Sequence, residues 1–129
     1  MRYHLSLEEI ERDYWGESDF PSHVVTECHR LRKIPIQNLD IEGLRMLLSQ
    51  RVGVPHILPI VSEILEENPL VEGDFYAGDL LVVVVKLARA GELSRNDAKR
   101  LLDLVENHDL CNSTEMAVAE EVKGWIEDT

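Results

Sequence analysis

No apolar run in this chain exceeds six residues, Leu80 to Val85, and Lys86 closes that one. A helix that crosses a bilayer needs about 20, so no membrane-spanning helix is expected. The N-terminal region carries Glu8, Glu9, Glu11 and Asp13 without an apolar block, which argues against a signal peptide. Only two cysteines occur, Cys28 and Cys111, far apart and in no CxxC or disulfide-dense pattern. Reduced core thiols and a cytoplasmic location are the expectation. Catalytic signatures are missing too: there is no GxSxG, GxxxxGKS, GxGxxG or HExxH.

Positive charge is also scarce. Thirteen Lys and Arg stand against 25 Asp and Glu, for a net charge of −12. The imbalance grows along the chain, from −2 over residues 1–35 to −4 over 36–90 and −6 over 91–129. Such a surface repels phosphate and anionic lipid headgroups, so neither nucleic acid nor a membrane is expected as a partner. It attracts a basic protein and speeds their encounter. Simple solubility explains the same charge.

What is present is a globular core. The chain has 129 residues, 44% of them hydrophobic, enough for one domain, 1–129, that buries roughly two thirds of its unfolded surface. Helical spacing predicts a first helix from Ser6 to about Asp13, with a Ser6/Glu9 capping box and Leu7, Ile10 and Tyr14 on one face. Pro21 is expected to open a second helix to about Lys33, and Asp40 to cap a third with Leu44, Leu47 and Leu48 inward. A fourth is expected from Pro55 to Glu67, ended by Asn68-Pro69, with local distortion at Pro59. Val82 to Val85 favour a strand by propensity, but the segment's length and the Gly91 exit favour a buried helix. Ser94 with Asp97, and Asn112 with Glu115, are expected to start the last two. The predicted fold is an all-α, single-domain bundle of about seven helices.

Candidate sites follow from chemistry. His23, Glu27, Cys28 and His29 are neighbours, but a zinc site wants three or four converging ligands with paired spacing, and His4, His56 and His108 have no companions. No metal or cofactor is expected. Glu66-Glu67 and Glu120-Glu121 point in different directions on their helices and make no acid–base pair. The chain is therefore read as no enzyme.

The turn from Pro69 to Asp79 interleaves aromatics with acids. One reading places Phe75 in the core with Asp79 capping the next helix; the other offers the turn to a partner. Tyr14-Trp15 admits the same pair of readings. A third candidate is the acidic last stretch, with Asp103, Glu106, Asp109, Glu120, Glu121, Glu127 and Asp128. The residues singled out for partner binding are Glu66, Glu67, Glu72, Asp74, Tyr76, Asp79 and Trp15.

LRKIPIQNLDIEGLRMLLSQRVGVPHILPIVSEILEENP, from Leu31, and ILEENPLVEGDFYAGDLL, from Ile64, resemble a family of small immunity proteins from bacterial contact-dependent growth inhibition (CDI) systems. The resemblance is best over residues 31–90. It implies a cytosolic protein without enzymatic activity that binds the C-terminal toxin domain of a large secreted effector and neutralises it, typically by blocking its active site. Such toxins are often nucleases with basic clefts, where an acidic protein would place carboxylates in the positions of phosphates. An acidic helical adaptor for a basic partner is the competing reading, and a small hydrolase with an unrecognised carboxylate site is a third.

Overall fold

The computed structural model describes residues 3–15 and 22–128. Among them are seven α-helices: α1 (Leu7–Glu11), α2 (His23–Leu31), α3 (Ile41–Ser49), α4 (Val54–Glu67), α5 (Asp79–Arg89), α6 (Arg95–Asn107) and α7 (Met116–Asp128). Two 3-10 turns, Ile36–Asn38 and Leu110–Asn112, and two isolated β-bridges complete the regular structure of these residues. The protein is all-α. The chain divides into two compact units, 1–59 and 60–129, and the division falls inside α4 at Pro59.

In the first unit, local capping sets the helix starts. Ser6 Oγ accepts the Glu9 N–H, and the Glu9 carboxylate accepts the Ser6 N–H at 3.0 Å, closing the capping box. The helix ends sooner than its spacing predicts, because Arg12 turns left-handed (φ 53). Tyr14 is thereby placed beyond the helix and is 65% exposed instead of lying on its inner face. Ser22 caps α2, which stops at Leu31; the expected Pro21 start lies outside the described residues. Asp40 caps α3 through a 2.7 Å bond from the Gly43 N–H. Helices α2 and α3 pack together, burying Cys28, Leu31, Leu44, Leu47 and Leu48. Gly53 (φ +64) is required here, since a Cβ would lie 2.6 Å from the buried Leu7 side chain.

Helix α4 starts at Val54, one residue before the expected Pro55, and continues through Pro59 to Glu67. Pro59 removes only the hydrogen bond to the Pro55 carbonyl, and the remaining bonds of the helix carry it through. Ile57, Leu58, Val61 and Leu65 are buried along it.

The second unit is built on α5 against α7, the most extensive contact between elements of the described residues. Four consecutive valines cost α5 about half a kcal/mol each in helix propensity relative to alanine. Burying one valine side chain returns about 1.5 kcal/mol or more, and Val82, Val84 and Val85 are buried with Leu80, Leu81 and Leu87. Packing overrides propensity, and Gly91 (φ +73) ends the helix as expected. Ser94 starts α6 by accepting the Asp97 N–H at 3.1 Å.

The last helix differs from its expected start. Asn112 belongs to the 3-10 turn held by buried Leu110, and its side chain donates to Asp109 at 2.9 Å. Helix α7 begins four residues later, at Met116. Val118, Val122 and Trp125 face inward, whereas Ile126, next to Trp125 on the helix, is 37% exposed. Cys28 is buried, and burial raises its thiol pKa above the ordinary value. Cys111 is only half-buried, which corrects its expected place in the core.

Candidate partner-binding site

The turn between α4 and α5 is organised by one buried carboxylate. Asp79 is 2% exposed, and its two oxygens accept the backbone N–H of Gly73 at 2.7 Å and of Phe75 at 3.1 Å. Further bonds tighten the loop: Leu70 N–H to the Asn68 side chain at 3.2 Å, and Gly78 N–H to the Val71 carbonyl at 3.2 Å. Gly78 supplies the left-handed residue at the exit (φ +88); a Cβ there would lie 2.4 Å from Val118 Cγ2. The start of α7 therefore rests directly on this turn.

This geometry goes against the reading that puts Phe75 in the core with Asp79 as a helix cap. Phe75 does not enter the core but stands 67% exposed at the tip, because Asp79 holds its backbone N–H inward. Asp79, singled out for partner binding, is itself buried, and it is not the cap residue; Gly78 occupies that position and Asp79 is the first residue of α5.

The other singled-out residues are at the surface to differing degrees. Glu67, Glu72 and Asp74 are exposed and Tyr76 is half-buried. Glu66 is engaged in a bidentate pair with Arg100 of α6, one arm being the Arg100 Nε bond at 3.0 Å. Trp15 belongs to the first unit and is 41% exposed. Its ring covers the Arg32 guanidinium at 4.0 Å and meets His29 edge-on at 5.0 Å, while its indole N–H donates to Asp13 at 3.1 Å. Only part of that ring remains for a partner. Arg32 itself is 1% exposed and donates to the Asp13 carbonyl and to Glu11, both at 2.7 Å. Nothing in the local sequence marks it as buried.

Tyr76 lines a shallow groove of about 320 Å³ together with Val82, Lys86, Arg89, Ala117, Glu120 and Glu121. Arg89 crosses from α5 to α7, donating to Glu121 at 2.6 Å and to Asp128 at 3.0 Å. Gly124 leaves room for that crossing, and a Cβ there, 2.6 Å from the guanidinium, would make the flexible Arg89 tip shift. Met116, at the first position of α7 and 68% exposed, is the surface residue that periodicity missed. The misplaced helix start concealed it.

Charge is divided unequally. Residues 60–129 hold 16 acids and six bases, net −10, while residues 1–59 hold nine and seven, net −2. Hydrogen bonds from Arg30 and Arg100 lower the pKa of Glu27 and Glu66, and bonds from Ser6 lower that of Glu9. A lowered folded pKa stabilises above the unfolded value, 4.5 for Glu66, and that contribution drains away as pH falls through the folded value. Glu66→Gln should thus reduce stability at pH 7 by about 0.5 kcal/mol or less. Paired urea melts at descending pH check it: the gap between wild type and variant should hold down to pH about 5 and close at lower pH. A gap independent of pH would show that the pair contributes nothing.

Among the described residues no group of three or more His, Cys, Asp or Glu is arranged to hold a metal ion. Nor is any of their helices long and apolar enough to cross a membrane.

A family model described as CDI immunity proteins matches residues 9–101, from α1 into α6 and well over half of the chain. No curated protein and no solved structure matches it. The match reaches beyond the 31–90 stretch where the resemblance is most evident in the sequence and takes in the whole Asp79-pinned turn. The chain belongs to the family of CDI immunity proteins.

Proposed function

We propose that this protein acts in the cytosol, where it binds the toxin domain of a cognate contact-dependent inhibition effector and neutralises it without catalysis. Family membership carries the reading. The net charge of −10 on residues 60–129 supports a particular mechanism: the acidic unit covers a basic active-site cleft, with its carboxylates standing where a nuclease would hold phosphates. Repulsion from phosphate and anionic headgroups makes the toxin, and not a nucleic acid or a membrane, the partner.

Co-expression with the toxin domain encoded beside this gene tests the role. Growth should be rescued and the two proteins should purify together. A toxic strain that gains nothing, with no complex formed, would remove the immunity role, and a stable complex without rescue would favour an adaptor. The charge mechanism has its own signature. Association should slow by about tenfold or more as NaCl rises from about 0.05 to about 0.5 M, because steering between opposite charges is screened. An association rate indifferent to salt would sink the charge mechanism and leave immunity standing.

A further inference from the structure

Resting on the immunity reading, we infer that the toxin domain docks on the face of the second unit where Phe75 and Met116 project, with Glu72, Asp74 and Glu120 as its acidic rim. Phe75 and Met116, 67% and 68% exposed, are the most exposed large apolar side chains among the described residues. Single exposed apolar residues are ordinary; each of these two is next in sequence to a residue that lines one groove. Their chain neighbours Tyr76 and Ala117 line it together, and Gly78 of the turn is in close approach to Val118 of α7.

The turn is also rigid where it needs to be. A connection between α4 and α5 does not require a buried acid, yet Asp79 is withdrawn from water to fix the backbone of Gly73 and Phe75. An aromatic side chain held outward on a fixed backbone loses little entropy on binding, which is how interface anchors reach high affinity.

Electrostatics selects the occupant. The unit that carries this face has a net charge of −10, and Glu72, Asp74 and Glu120 are exposed. Within the groove the charge of Arg89 is offset by Glu121 and Asp128, and Glu120 lines its edge as an exposed acid. The complementary partner is a basic protein face with an apolar pocket that receives Phe75. By contrast, Trp15 of the first unit already stacks on Arg32, in a unit with net charge −2.

The test is the affinity of the full-length protein and its variants for the purified toxin domain of the adjacent effector gene, measured by calorimetry. Phe75→Ala and Met116→Ala should each weaken binding about tenfold or more, and the double variant about a hundredfold. Glu120→Arg should weaken binding by about threefold or more, and Tyr14→Ala should change the affinity less than about twofold. All these positions are exposed, and circular dichroism confirms that each variant is folded. If the double variant binds like the wild type, or if Tyr14→Ala weakens binding as much as Phe75→Ala, the surface is wrong and immunity stands. If the wild type neither binds nor rescues growth, the surface falls with the function.

Discussion

Asp79→Ala should lower the unfolding free energy by about 3 kcal/mol, measured by urea denaturation at pH 7. The carboxylate accepts two backbone N–H groups, and a hydrogen bond to a charged acceptor contributes about 1.5–3 kcal/mol. Truncation leaves both donors without their acceptor in a partly enclosed turn. Asp79→Asn should cost less, about 2 kcal/mol, because one oxygen still accepts while the amide nitrogen faces a donor. The damage should extend to function: a loosened turn no longer presents Phe75, so binding to the toxin should weaken even where the variant is folded. A loss below about 0.5 kcal/mol in Asp79→Ala would mean that the turn is held by its backbone alone.

Arg32→Ala should destabilise the protein by about 3 kcal/mol or more, for a different reason. Arg32 is among the largest fully buried side chains, and it joins the Asp13 carbonyl, the Glu11 carboxylate and the face of Trp15. Removing it leaves a cavity, a carbonyl without its donor and a part-exposed Glu11 carboxylate without its arginine. Arg32→Met separates volume from charge. It refills most of the space and also removes a buried Nε–H that finds no acceptor among the described residues, so it should cost only about half as much. Tryptophan fluorescence should shift in both variants as Trp15 loses its cation. Equal losses for Ala and Met would assign the stability to the ionic bonds instead of the packed volume.

These two residues also mark where sequence reading succeeds and where it stops. Helix starts at Ser6, Asp40 and Ser94, and the stop at Gly91, are legible because a cap is a contact between residues three apart or a single left-handed position. Helix α5 is legible against its valines because burial outweighs propensity. The start of α7 is not. Asn112 and Glu115 match a local capping pattern, but the 3-10 turn at buried Leu110 claims Asn112 first. The direction of Phe75 is likewise undetermined locally, since it depends on how a loop folds around a carboxylate four residues further on. Buried Arg32 depends on Asp13 and Glu11, about twenty residues away, and periodicity carries no trace of such a contact. Of the partner-binding candidates, Glu72, Asp74 and Tyr76 belong to the proposed surface. Asp79 holds that surface in shape, and Glu66 is committed to Arg100.

If this protein neutralises the toxin domain, it must inhibit that domain in a purified system. The purified toxin is titrated with this protein while the toxin's own activity is followed at low salt. Activity should be lost completely at a small molar excess and should recover in part as NaCl is raised to about 0.5 M. Undiminished activity at about tenfold excess, with the toxin and this protein both folded, would contradict neutralisation.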